Sequence, residues 1–172
     1  MNNPEKKLGW DIITRLTHWV VAGLFLANYY YTDPGYNAHI NVGWILMWLV
    51  LFRLAWGFTF AMGPNRIMNF IPTPKGLREH IQELKDRKAH DDVGHNAFGS
   101  CAVFLLWFGL LFAVFTGWCQ DTDWGFENEV YEWHDFTVEY LWVLVIVHIS
   151  AVVMTSLWLR INLIKQMIVG KR

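Results

Sequence analysis

The sequence predicts an all-α protein, an integral-membrane four-helix bundle with both termini cytoplasmic. Three observations predict it: an apolar and weakly charged composition, four long apolar stretches, and basic residues confined to one side of those stretches. Of the 172 residues, 54% are hydrophobic, 17% aromatic and 17% charged, with eleven Trp and a formal net charge of −1. Soluble domains carry about 25% charge, so lipid is the solvent this composition fits. Neither disorder nor nucleic-acid binding agrees with it.

The four stretches cover about 12–31, 40–62, 97–119 and 135–159. Arg15 and His18 interrupt the first and Arg53 the second; the third has no charge, and the fourth holds His148, with Asp135 and Glu139 at its mouth. Each approaches the roughly 20 residues that cross a bilayer core, where a lone segment must be helical to satisfy its backbone. The first is not expected to be a cleaved signal, because no Ala-x-Ala site flanks it and an arginine and a histidine lie within it. Between the second and third stretches, Pro64, Pro72 and Pro74 break the chain, and about 75–90 then reads as an amphipathic cytoplasmic segment with Leu77, Ile81 and Leu84 on one face. It suits the inner leaflet or, alternatively, a cytoplasmic partner. No repeat or second domain interrupts 1–172, which is expected to be a single unit.

All fourteen Lys and Arg precede the first stretch or lie in its opening turns, lie towards the end of the second or between it and the third, or follow the fourth. The connections 32–39 and 120–134 have none. The positive-inside rule therefore places both termini and the middle loop in the cytoplasm. Trp118, Trp124, Trp133 and the tyrosines near residue 30 supply an aromatic belt on the other face.

Ionisable residues inside a membrane are costly and mark function. His18 lies in the cytoplasmic half of the first helix, His39 and His134 open the second and fourth at the outer edge, and His148 lies deeper. Fourteen residues separate His134 from His148, which on a helix is a rise of about 21 Å and a rotation about 40° short of four turns. The two share one face at two levels. Matching by depth pairs His39 with His134 and His18 with His148, and neutral imidazoles clamping a macrocycle from two helices make two bis-His haem b sites. Zinc fits less well, since it takes four compact ligands. Cys101 and Cys119 lie about 27 Å apart along one helix and read as packing residues. Cys-x-x-Cys-His is absent, which excludes covalent c-type attachment.

Other positions keep two readings. His95, in Gly94-His95-Asn96, is a second candidate for the inner ligand, a propionate donor or a proton donor to quinone, or else an ordinary helix-terminal histidine. Arg15 and Arg53 either snorkel to headgroups or pair with propionates of the inner haem. Gly43, Gly109 and Gly117 fit close approach of a helix or of a porphyrin. His80 and His90 read as solvated.

The ordered motifs resemble those of the bacterial di-haem cytochrome b561 group, which includes the cytochrome b subunit of nickel-iron hydrogenases. They are Trp10-Asp11, Arg15-x-x-His18-Trp19, His39-x-x-x-Gly43, Arg53-x-x-Trp56-Gly57-Phe58, Phe70-Ile71-x-x-Pro74-Lys75, Gly94-His95-Asn96-x-x-Gly99, Thr116-Gly117, Trp133-His134, Val147-His148-Ile149 and a tail from Leu163 to Arg172. The resemblance implies a bacterial inner-membrane protein passing electrons between the quinone pool and a redox partner through two non-covalent b haems. It carries the ligand roles onto His18, His39, His134 and His148.

Asp33, Asp121, Asp123, Glu127, Glu129, Glu132, Asp135 and Glu139 lie on or near the outer face with no Lys or Arg opposing them. Such a field attracts cationic proteins and repels anions such as superoxide, so a basic periplasmic c-type cytochrome is the expected partner. Two other readings stand beside this one: a membrane-anchoring cytochrome b subunit of a periplasmic oxidoreductase, and a haem-free histidine-lined transporter.

Overall fold

A computed structural model of the chain describes residues 9–69, 71–86 and 97–170. Every regular element among them is helical: α1 (Ile12–Tyr31), α2 (Asn37–Thr59), two 3-10 turns (Gly63–Asn65 and Ile67–Asn69), α3 (Pro74–Asp86), α4 (Ala97–Cys119), α5 (Asp123–Glu127), α6 (Val130–Trp158) and α7 (Leu163–Val169). Among the described residues there is no strand.

Among the described residues, three helices are long and apolar enough to cross a membrane: α2, α4 from Phe98, and α6, with mean hydropathy 1.6, 2.3 and 2.1. The expectation of four meets a difference at α1, whose length suffices but whose Thr14, Arg15, Thr17, His18 and Asn28 hold its hydropathy below the others. Large apolar side chains point outward from the long helices, as at Trp48, Phe108, Met154 and Leu157, the arrangement expected where lipid replaces water.

Two boundaries differ from the apolar stretches. The second helix begins at Asn37 rather than near 40 and stops at Thr59 rather than near 62, because Gly63, at φ 56°, and Pro64 turn the chain into a 3-10 turn. The fourth begins five residues before position 135, at Val130, so His134 sits one turn inside α6 instead of opening it. Its first turns carry Glu132 and Asp135, which hide it from an apolarity scan yet suit the positive end of a helix dipole. The amphipathic segment expected over 75–90 is helical as α3, packed on α4; residues 87–90 lie outside the described ones.

Helix α1 packs along α2, α2 along α4, and α4 most extensively along α6, while α7 folds back onto α6. Asp11 starts α1 by accepting a hydrogen bond from the Thr14 amide at 2.6 Å. The buried centre is Leu46 and Val50 of α2, Leu110 and Ala113 of α4, and Leu141 of α6, with Val21, Leu24 and Phe25 of α1 packed against it. Leu141 presses on Gly109, where a Cβ would come within 2.8 Å of the leucine, so this glycine serves helix packing. Leu141 stands seven residues from His134 and seven from His148. The centre of the bundle is thus a plug of apolar side chains between the two levels that carry histidines.

Candidate functional site

At the end of the bundle where α1 finishes and α2 and α6 begin, the His39 and His134 rings face each other with centres 6.2 Å apart and planes at 73°. His134 lies over Gly117 of α4, where a Cβ would come 3.1 Å from ring atom Cε1. Its Nδ1 is 2.9 Å from the Ala113 carbonyl, with the Thr116 hydroxyl at 3.3 Å. A carbonyl only accepts, so Nδ1 carries the proton and Nε2 presents a lone pair. His39 Nδ1 lies 3.2 Å from the Thr32 hydroxyl, which donates its single proton to the Asn28 carbonyl at 2.6 Å. That hydroxyl therefore accepts from His39 Nδ1–H and again leaves Nε2 free.

At the opposite end, His18 of α1 and His148 of α6 have ring centres 6.5 Å apart and planes at 52°. His18 Nδ1 is buried and makes no hydrogen bond; Trp19 stands edge-on to the ring at 5.1 Å. Between the two levels, Trp142 of α6 stacks on Tyr29 at 5.1 Å and meets Phe25 at 6.0 Å, closing the α1–α6 seam with aromatic rings.

The arginines meet protein groups. Arg53 is only 5% exposed, so it does not reach for headgroups: burial under Trp107, whose ring centre is 5.9 Å from its guanidinium carbon, overrides that reading. Its Nη2 donates to the Asn65 carbonyl at 3.1 Å, while Nη1 is buried without a partner. Asn65 ties this end together. Its side chain accepts from the Asp11 amide at 2.9 Å and donates to the Gly9 and Met62 carbonyls, and Trp56 Nε1 donates to Asp11 at 3.1 Å. The Trp10-Asp11 and Arg53-x-x-Trp56 motifs are therefore two halves of one knot, and Asn65, which the motif reading passed over, joins them. Arg15 donates through Nη1 to the Ile168 carbonyl of α7, and its Nε is buried without a partner.

His90 and His95 lie outside the described residues, as does the side chain of His80. Cys101 and Cys119 are free thiols. A Cβ at Gly43 would meet nothing within 4 Å, so close helix packing is not what that glycine serves. Among the described residues no three His, Cys, Asp or Glu side chains gather into a compact metal site; the histidines meet in twos. The backbone of α6 does not run closely along α1 or α2, and the imidazoles reach across. With metal–nitrogen bonds of about 2.0–2.1 Å and ring centres about 1.1 Å behind the nitrogens, imidazoles on opposite sides of one metal ion stand about 6.3 Å apart. Both pairs have that spacing.

Long apolar helices carrying histidines that face one another in pairs define a class, helical membrane proteins with imidazoles set between helices. The chain matches the family model of prokaryotic cytochrome b561 over residues 9–170, and it belongs to that family. It is accordingly a membrane b-type cytochrome of electron transfer, and the family implies haem b as its cofactor. Comparison with curated proteins and with solved structures gives no match.

Proposed function

We propose that this cytochrome holds two b haems, one between His39 and His134 and one between His18 and His148. In this reading it carries electrons between the quinone pool and a periplasmic redox partner. The observation that carries the reading is the separation of the ring centres, 6.2 and 6.5 Å, each across two helices whose backbones stand apart. The hydrogen-bonded Nδ1 atoms of His39 and His134 leave Nε2 as the donor at the first site, and Gly43, one turn beyond His39, leaves room for a flat group. A bound haem supplies reversible one-electron chemistry at each level.

Helices α1, α2, α4 and α6 form the four-helix membrane bundle of this reading. It sits in the bacterial inner membrane with the basic end and both termini cytoplasmic, as the confinement of Lys and Arg to one end supports. Arg53 follows His39 by fourteen residues, the offset that separates His134 from His148, and so stands on the His39 face at the second level. Its unpartnered Nη1 is a propionate donor there. Family membership favours a haem-bearing chain over a histidine-lined transporter. The carboxylates of the acidic end suit a basic c-type cytochrome as the periplasmic partner.

Purified oxidised protein mixed with a short-chain quinol tests this reading. It predicts reduction of b-type absorbance, followed by electron delivery to a cationic c-type cytochrome at a rate that falls steeply with salt. Absorbance that neither quinol reduces nor quinone oxidises would overturn the quinone assignment, and a salt-independent rate would overturn the partner.

A further inference from the structure

On the bilayer-facing side of the basic end, α1 and α7 form a groove of about 370 Å³ lined by Ile12, Arg15, Leu16, Trp19, Met167 and Ile168. Two side chains of α1 fasten its far wall: Arg15 Nη1 donates to the Ile168 carbonyl, and Trp19 Nε1 to the Met167 carbonyl at 3.3 Å. Gly170, at φ 77°, ends α7 so close to α1 that a Cβ there would come within 2.9 Å of the Arg15 guanidinium.

What remains unsatisfied is a charge. Arg15 Nε is buried with no hydrogen-bond partner, and among the described residues no carboxylate forms an ion pair with this guanidinium. The side chain is half-buried, with Nε closed off and the rest of the guanidinium lining the groove, and guanidinium is the side chain best matched to phosphate oxygens. The remaining walls are apolar and open toward lipid: Ile12, Leu16, Trp19 and Ile168 are each 45–58% exposed. A ligand for this groove therefore combines an anion with a hydrocarbon chain. Lys165 of α7 adds positive charge beside it, which favours net negative charge.

We infer that the α1–α7 groove is a binding site for one anionic phospholipid, its phosphodiester on Arg15 and an acyl chain along Leu16 and Trp19. Of the two roles the sequence leaves open to Arg15, this is the headgroup one, made into a specific site by α7. The lipid fastens the C-terminal helix to the bundle; Trp19 also stands edge-on to His18, but no contact argued for the lipid uses a histidine, so the inference does not rest on the haem assignment.

Native mass spectrometry of detergent-purified protein tests it, with phosphatidylglycerol, phosphatidylcholine and inorganic phosphate titrated in turn. Wild type is expected to keep one phospholipid through delipidation and to bind phosphatidylglycerol at least tenfold more tightly than Arg15→Gln does. Ile168→Trp fills the groove while leaving the guanidinium in place, and is expected to lose the lipid too, which keeps the test decisive if Arg15→Gln fails to fold. Equal lipid binding by wild type and both variants would overturn the inference. So would inorganic phosphate displacing phosphatidylglycerol, retention of a prenylated quinone in place of phospholipid, or haem loss in Arg15→Gln with lipid binding unchanged, which would return the guanidinium to a propionate.

Discussion

The two histidine pairs have nearly the same ring separation, 6.2 and 6.5 Å, yet different surroundings. At the acidic end, His134 Nδ1 is held by the Ala113 carbonyl and His39 Nδ1 by the Thr32 hydroxyl. At the basic end, His18 Nδ1 is buried with no partner, while Arg53, placed at this level by its fourteen-residue offset from His39, carries a buried positive charge. In the proposed two-haem reading, spacing sets where a metal can be held, and the groups behind the rings set how it behaves. Donation from Nδ1–H raises imidazole basicity and favours the oxidised metal, and a nearby cation favours the reduced one. If each pair holds a haem, as proposed, the acidic-end one is expected to have the lower potential, and electrons to rest at the basic end.

The largest effect comes from removing ligands. His134→Ala or His39→Ala is expected to halve the haem content and remove the lower-potential component, and His148→Ala or His18→Ala to remove the higher one, read by redox titration of the b-type bands. If all four variants remove the same component, the pairing is wrong. Arg53→Met sharpens the comparison by deleting the cation alone. It is expected to lower the basic-end potential by an amount on the order of 59 mV, one tenfold change for one electron, and to leave the other untouched. A shift confined to the acidic-end component would break the placement of Arg53. The smallest effect belongs to Thr32→Val, which removes the hydrogen-bond partner of His39 Nδ1. A rise of the acidic-end potential by roughly half that amount is expected, with unchanged haem content; an unaltered potential would mean that the hydroxyl only packs.

Much of this arrangement was legible in the chain because membrane helices and their faces follow simple periods. The α1 and α4 runs coincide with apolar runs, and the fourteen-residue offset between His134 and His148 gives a shared face from numbering alone. Applied to α2, the same arithmetic runs from His39 through Leu46 to Arg53, matching His134, Leu141 and His148 on α6, a parallel that became plain once the buried plug was seen. The first turns of α6 were missed because they carry carboxylates beyond the apolar segment. The carbonyl of Ala113 had no signal at all, since every residue has one and only the fold selects which faces a ring. Asn65 was equally silent: its role depends on three strands of chain meeting at Asp11, Met62 and Arg53. Chemistry carried by side chains at regular spacing can be read from sequence, whereas chemistry carried by the backbone or by a turn has to be seen.

The most direct test of the central claim is the haem-to-protein ratio of mildly solubilised protein, measured together with its dithionite-reduced minus oxidised spectrum. Two His-paired sites predict a ratio near two with sharp low-spin b-type bands. A ratio near one would contradict the claim and leave a single pair as ligands, and folded protein with no haem would contradict it outright.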